Sequence, residues 1–283
     1  MSETTITVVC ENRTAAPVGV AGEYGFAAFI EKDGKKILFD TGQGIALKNN
    51  AAVLKTDLAK VDQVVLSHGH FDHTGGLSQA LMSSWGSEVI AHPDIFDDKY
   101  TEMHFGKETG RFYIGVPYRR EFLESALGAT FSMQKGYIEI SPGVWFSGEV
   151  PRRTDFERPD SALKVKRDGE FLDDPMLDDA SILVETDSGP VIVAGCAHAG
   201  IVNVMNHFRE KSGHESFHAV IGGTHLGFAE DEQQLFKTMD AFEKMGLDLI
   251  AVSHCTGNEA AAACYNRFRE KFAFANAGWR MTF

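Results

Sequence analysis

The chain is predicted to be an α/β protein, and three observations carry that reading. Its opening stretch looks like paired strands joined by a tight turn. Its later part repeats a unit in which a short apolar strand runs into a histidine-bearing turn and then into a helix. Its 283 residues, 43% hydrophobic and 24% charged, have the make-up of an ordinary globular domain. A chain of this length buries about three quarters of its unfolded surface, so no disulfide framework is needed to hold a core.

Taken in order, residues 5–9 read as a strand. Residues 25–30 and 36–39 read as a hairpin, because Asp33-Gly34 supplies the positive φ angles that a tight turn requires. The second strand ends in Asp40-Thr41-Gly42, and a helix is expected over about 45–54. The pattern then changes to strand–turn–helix. Val64-Val65-Leu66 leads into His68-Gly69-His70-Phe71-Asp72-His73 and a helix over about 76–82. Residues 191–194 lead into Gly195-Cys196-Ala197-His198 and a helix near 201–208. Residues 219–221 lead into Gly222-Gly223-Thr224-His225 and a helix over about 232–245. Residues 249–252 lead into Ser253-His254-Cys255-Thr256-Gly257 and a last helix through 262. In α/β architectures ligands gather beyond the carboxyl ends of strands, so these four histidine groups are expected on one rim. The stretch 97–157 is rich in aromatic residues and carries Arg111, Arg119 and Arg120. With no linker composition around it, it reads as an elaboration of a single domain spanning 1–283.

The run from His68 to His73 has the density of a metal site. Zinc takes imidazole nitrogen and carboxylate oxygen at about 2.0–2.2 Å. His68 and His70, two apart in an extended turn, can grip one ion. Asp72 and His73, where the chain begins to coil, can reach a second. Two ions about 3.5–4 Å apart share a bridging hydroxide, bring its pKa towards neutrality and polarise the bond being cut. Asp72 can bind an ion and also take a proton from the attacking water. Each ion needs a further ligand, and the strand-end His198 and His254 are its natural suppliers. His225 stands open between ligand, substrate contact and core histidine, and is carried as a substrate-binding candidate. Arg152 and Arg153 can hold a phosphate or carboxylate in fork geometry, against the plainer reading of a solvated charged turn.

A formal net charge of -13 with no basic block disfavours nucleic-acid binding. Four cysteines without a paired spacing suit reduced thiols. No secretory signal and no apolar run of membrane-spanning length is visible, so a cytoplasmic protein with a small-molecule, possibly anionic, substrate is expected. Nothing in the sequence speaks to oligomeric state.

The run His68-Gly69-His70-Phe71-Asp72-His73 resembles the H-x-H-x-D-H signature of the metallo-β-lactamase superfamily. Leu38-Phe39-Asp40-Thr41-Gly42 is similar to the strand-end aspartate motif that precedes it there, and His254 falls where the last metal histidine belongs. The resemblance spans nearly the whole chain and implies an αββα sandwich of two mixed sheets with the metals at one edge. Gly195-Cys196-Ala197-His198-Ala199-Gly200, Gly222-Gly223-Thr224-His225-Leu226 and His254-Cys255-Thr256-Gly257 resemble the branch that includes dihydropterin-aminobenzene ribose-phosphate synthases. Where the superfamily commonly has Gly-Asp, this chain has Gly195-Cys196. Either Cys196 is a thiolate ligand or His198 alone completes the first site, and His198 is taken. Asp40 either orients a ligand imidazole or caps a loop by accepting backbone N–H bonds.

The expected function is a dinuclear metal-dependent hydrolase that directs a metal-bound hydroxide at an ester, phosphoester or amide-like bond, with Asp72 catalytic. The expected cofactor is two divalent ions, zinc first, iron or manganese next. The expected ligands are His68, His70, Asp72, His73, His198 and His254. The alternatives are a pterin-type synthase acting on a phosphorylated ribosyl-aminobenzene substrate and an iron-dependent dioxygenase on the same scaffold.

Overall fold

In the computed structural model, which describes residues 3–16, 18–106, 108–229 and 231–283, the opening strands form as expected. They are β1 (Thr5–Cys10), β2 (Ala27–Lys32) and β3 (Lys35–Phe39), successively antiparallel. Asp33 and Gly34 turn the hairpin with φ of 52° and 78°, both on the positive side that suits right-twisted strands. Next come α1 (Leu47–Leu54), β4 (Gln63–Val65), α2 (Phe71–Thr74), α3 (Leu77–Ser83) and β5 (Glu88–Ala91). They are followed by β6 (Asp98–Phe105), β7 (Glu108–Tyr113), α4 (Arg120–Leu127), β8 (Thr130–Met133), β9 (Ile138–Ser141) and β10 (Val144–Phe146). The chain continues through β11 (Leu163–Arg167), β12 (Glu170–Asp173), β13 (Ser181–Val184), β14 (Val191–Ala194), α5 (Ile201–Ser212) and β15 (Ala219–Gly222). It closes with α6 (Glu232–Lys244), β16 (Leu249–Val252), α7 (Asn258–Phe268), β17 (Phe272–Phe274) and β18 (Arg280–Thr282).

Two seven-stranded mixed sheets result, ordered β18-β1-β2-β3-β4-β5-β8 and β17-β16-β15-β14-β13-β10-β9. Side chains alternate between the faces of a strand, so each strand serves two layers. On β2, Ala28 and Ile30 enter the core between the sheets. Ala27 and Phe29 enter an outer layer with Leu47 of α1, Leu77 and Leu81 of α3, and Leu123 of α4. On β14, Val191 and Val193 face the inter-sheet core. Ile192 and Ala194 pack outward against Ile201 and Phe208 of α5, Phe242 of α6 and Cys264 of α7. The product is the αββα sandwich.

The stretch 97–157 divides between two structures. β6 and β7 join β11 and β12 in a third, antiparallel sheet ordered β12-β11-β6-β7, half of which comes from beyond residue 157. By contrast α4, β8, β9 and β10 belong to the main layers. Local pattern could not show this division, because β6 pairs with a strand some sixty residues on (Tyr100↔Lys164). Among the described residues, no helix is long and apolar enough to cross a membrane.

Candidate metal centre

The carboxyl ends of β3, β4, β14, β15 and β16 deliver Asp40, His68, His198, His225 and His254 to one edge of the sandwich. The turns there are tight. Asp40, Ala197, His225 and His254 adopt φ of 59°, 54°, 56° and 49°, a left-handed region costing a non-glycine residue about 1 kcal/mol or more. Gly69 has no room for a side chain, since a Cβ there would lie 2.2 Å from the Ile95 carbonyl oxygen. Its N–H donates to Asp178 Oδ2 at 2.8 Å. The other oxygen of Asp178 accepts from Lys99 Nζ at 2.8 Å, and Lys99 also reaches Asp174 at 2.8 Å. All three are buried, so an ion network braces the histidine loop from below.

Six side chains converge as two triads. In the first, His68 Nε2 lies 3.0 Å from His70 Nδ1 and 3.2 Å from His198 Nε2. In the second, His254 Nε2 lies 3.3 Å from both His73 Nε2 and Asp72 Oδ2, and His73 Nε2 lies 3.8 Å from Asp72 Oδ2. Tetrahedral ligands bound at about 2.0–2.1 Å stand about 3.3–3.4 Å apart. The spacings are close to that edge length, and each triad is a group that can hold a metal ion.

The hydrogen bonds behind the triads set the tautomers. Asp40 is wholly buried and accepts from the Ser67 N–H at 2.7 Å and the Ser67 hydroxyl at 2.6 Å. His73 Nδ1 lies 2.7 Å from the same carboxylate and donates to it, which turns the Nε2 lone pair to the centre. The Ser67 hydrogen is committed to Asp40, so His68 Nδ1, 2.9 Å from Ser67 Oγ, donates and leaves Nε2 free. His254 Nδ1 donates to Asn12 Oδ1 at 3.0 Å, while Glu11 accepts the His254 N–H at 2.7 Å. Asp40 therefore both caps the Ser67 turn and orients the His73 imidazole.

Burial, reinforced by neighbouring imidazoles, pushes His68 and His198 well below the usual histidine range. Burial and then Lys99 bring His70 down to about 3. These rings are neutral and present lone pairs. Burial works against charge on Asp72 and His73 too, but there it is outweighed. His73 and His254 hold Asp72 ionised, and Asp40 with Asp72 raise His73 to about 9. A divalent cation held there would be attracted by the same carboxylates and would displace that proton.

Cys196 Sγ sits 3.2 Å from His73 Nε2. It groups with His68 and His73 on one side and with His254 and Cys255 on the other, so it lies between the triads. Gly195 before it is packed on the Asp40–Ser67 pair, where a Cβ would come within 2.2 Å of Ser67 Oγ. Burial pushes the Cys196 thiol up, but a bound divalent ion deprotonates a coordinating thiol outright.

His70, Asp72, Cys196, His198 and His254 line one cavity of about 460 Å³. His225 lines it as well, its ring 4.2 Å from that of His198 and stacked on Phe228 at 4.9 Å. Its Nε2 meets Asp160 Oδ2 at 3.3 Å and its Nδ1 has no hydrogen-bond partner. Arg152 and Arg153 are not among the residues that line the cavity. Arg152 Nη1 donates to the His198 carbonyl, and Arg153 pairs with Glu210 at 2.6 Å. Their segment serves the fold: Glu157 accepts the Val202 and Asn203 N–H groups at 2.8 and 2.9 Å, capping α5 just after His198. Sequence reasoning missed Ser67, Asn12, Glu11, Tyr24, Asp160 and Cys255. Only Glu11-Asn12, a polar pair directly after a fully buried strand, left a local signal.

The family model of the metallo-beta-lactamase superfamily matches residues 20–254. The chain belongs to the metallo-beta-lactamase superfamily. Within the superfamily it is 32% identical over 263 residues to a Methanocaldococcus jannaschii protein named 7,8-dihydropterin-6-methyl-4-(beta-D-ribofuranosyl)-aminobenzene-5'-phosphate synthase, covering 89% of this chain and 87% of that one. A second protein of that archaeon, uncharacterised, is 32% identical over 241 residues, covering 84% and 86%. Among solved structures, Tm1679, a metal-dependent hydrolase of the beta-lactamase superfamily, superposes with a TM-score of 0.80 at 27% identity, covering 98% of both chains.

Proposed function

We propose that the protein is a hydrolase of a small-molecule substrate, working with two divalent ions. His68, His70 and His198 would hold the first, and Asp72, His73 and His254 the second. The observation that supports this most directly is the pair of converging triads at the base of one cavity. Ions bound there lower the pKa of water towards neutrality and polarise the bond under attack. Asp72 is held ionised at the cavity base, where it can accept the proton released by the attacking water. Asp40 and Asn12 keep His73 and His254 in the tautomer that faces the ions. Cys196 lies between the triads, which supports it as a further ligand. His225, braced by Asp160, lines the cavity beside the first triad, which supports it as a substrate contact. Zinc suits this imidazole–carboxylate–thiolate set best, and iron and manganese also accept such donors.

Elemental analysis of purified protein is expected to find about two transition-metal ions per chain. Hydrolysis of a panel of esters, thioesters and phosphodiesters should vanish on chelation and return on reconstitution. Full activity after chelation and dialysis would refute the proposal. The likeness to the protein named as a ribose-phosphate synthase supports a second reading, condensation on a phosphorylated ribosyl-aminobenzene substrate. Incubation with such a substrate separates the two: a condensation product without ester hydrolysis favours the second.

A further inference from the structure

Tyr24 lines the cavity together with Asp72, Cys196 and His254. Its ring meets the His254 ring edge-on, with centroids 5.0 Å apart and planes at 68°. The backbone on both sides of it is pinned. The Glu23 N–H donates to the Glu11 carbonyl at 3.0 Å, while the Glu11 carboxylate accepts the His254 N–H at 2.7 Å. Glu23 Oε2 accepts from the Ile45 and Ala46 N–H groups at 2.6 and 3.0 Å. The Gly25 N–H donates to Asn12 Oδ1 at 3.1 Å, the same oxygen that accepts from His254 Nδ1 at 3.0 Å. The Phe26 N–H donates to the Asp72 carbonyl at 3.2 Å. Gly25 has a φ of 136°, and a Cβ there would come within 2.1 Å of that carbonyl oxygen, so position 25 has no room for a side chain. Tyr24 is thus keyed to Asp72 and His254 through the groups that hold those two residues in place.

The hydroxyl has no such tie. Among the described residues it has no hydrogen-bond partner. Burial, and after it the charges of Asp72, Cys196 and Cys255, push the phenol up, so the groups its oxygen feels are those around the second triad. A phenol keeps its hydrogen at neutral pH in any case. The side chain therefore presents an uncharged, uncommitted donor on a fixed backbone beside the triad. Donors fixed in advance act most strongly where charge develops during reaction.

We infer that Tyr24 is a catalytic residue whose hydroxyl donates a hydrogen bond to the substrate oxygen on which negative charge gathers during attack. This rests on the hydrolase reading. In ester hydrolysis the water oxygen bonds to the acyl carbon, and the carbonyl π pair moves onto its oxygen. Asp72 takes the water proton. As the pair returns, the bond to the leaving oxygen breaks, and that oxygen takes the proton from Asp72. Tyr24 keeps its own proton throughout. A ring without the hydroxyl packs on His254 equally well, so phenylalanine at this position isolates the hydrogen bond.

The test compares metal-loaded wild-type, Tyr24→Phe and Tyr24→Ala proteins on 1-naphthyl acetate. Calorimetry follows the binding of 1-naphthyl methylphosphonate, the anionic tetrahedral counterpart of that ester, and of 1-naphthol. Tyr24→Phe is expected to keep its metal content and KM and to lower kcat about 100-fold, the low end of the loss when one oxyanion donor is removed. It should weaken the phosphonate at least about tenfold and leave 1-naphthol unchanged. Wild-type kcat and phosphonate affinity in Tyr24→Phe, with losses in Tyr24→Ala alone, would reduce Tyr24 to a packing residue and overturn the inference. Loss of metal from Tyr24→Phe would also overturn it. Absence of wild-type hydrolysis across the ester, thioester and phosphodiester panel would refute the hydrolase reading instead. The phosphonate then still decides: weaker binding by Tyr24→Phe supports the hydrogen bond, and equal binding overturns it.

Discussion

Replacing Asp40 by Asn should separate the two ions. The new amide keeps one carbonyl oxygen for the Ser67 N–H, now 2.7 Å away, and Asn tolerates the left-handed backbone (φ 59°) at this position. The fold is therefore expected to survive. What changes is the other side of the carboxylate. Asp40 Oδ2 now accepts from both the Ser67 hydroxyl at 2.6 Å and His73 Nδ1 at 2.7 Å. An NH₂ group in its place meets the His73 N–H as a second donor. His73 must either lose that hydrogen bond or move its proton to Nε2, the nitrogen that faces the centre. Ser67 Oγ has two acceptor lone pairs and can still serve His68. Loss of such a supporting partner weakens a metal site about 10–100-fold, or about 1.4–2.7 kcal/mol. Titration against a chromogenic chelator should show the second ion weakened by this factor and the first nearly unchanged. Wild-type affinity at both sites, with the far-ultraviolet circular dichroism unchanged, would refute the claim that Asp40 sets the His73 tautomer.

Three further expectations follow from the same geometry. His198→Ala removes one of three donors from the first triad only, so elemental analysis should fall from about two ions per chain to about one. With cobalt(II) in place of the native metal, wild-type protein should show sulfur-to-metal charge-transfer absorption that Cys196→Ser abolishes and Cys255→Ser retains. Loss with the second variant but not the first would exclude Cys196. Lys99→Met strands two buried carboxylates and should destabilise the protein by about 3–5 kcal/mol, a melting-point drop of about 5–15 °C by calorimetry. Burial disfavours the Lys99 charge, but Asp178 and Asp174 outweigh it and raise its pKa above the free value. In the wild type its contribution is then complete below about pH 10 and lost only as pH climbs through the folded pKa; in the variant burial pushes the stranded Asp178 carboxyl up, so the gap should narrow as pH falls and that group takes up a proton.

The parts of the site that could be read from sequence are those carried by short local patterns. His68, His70, Asp72 and His73 lie within six residues, and His198, His225 and His254 each follow a buried strand. The topology of α/β folds gathers such strand ends without further information. The arginines' partners were not legible, because an arginine's partner is a long-range matter. Arg152 is spent on a carbonyl 46 residues away and Arg153 on a carboxylate 57 residues away. The third sheet was hidden for the same reason, since β6 and β11 find each other across the intervening α4 and β8–β10. Asp40 is the opposite case: its two proposed roles were both visible, and the wholly buried carboxylate fills both at once.

In the proposed site each ion would draw its ligands from both halves of the sandwich. His68 and His70 follow β4 of one sheet, and His198 follows β14 of the other. Asp72 and His73 stand with the first sheet, and His254 follows β16 of the second. Ions bound in this way would be rivets between layers as well as reagents. Each adds about 2.7 kcal/mol against separation of the sheets when free metal stands at a hundred times its dissociation constant. During synthesis the first position closes only once residue 198 has been made, and the second waits for residue 254 of 283. A half-made chain offers each ion only two protein donors. On that reading, selection among competing metals would be deferred to a nearly finished molecule, whose packed walls, rather than the affinity of a flexible peptide, would decide which ion stays.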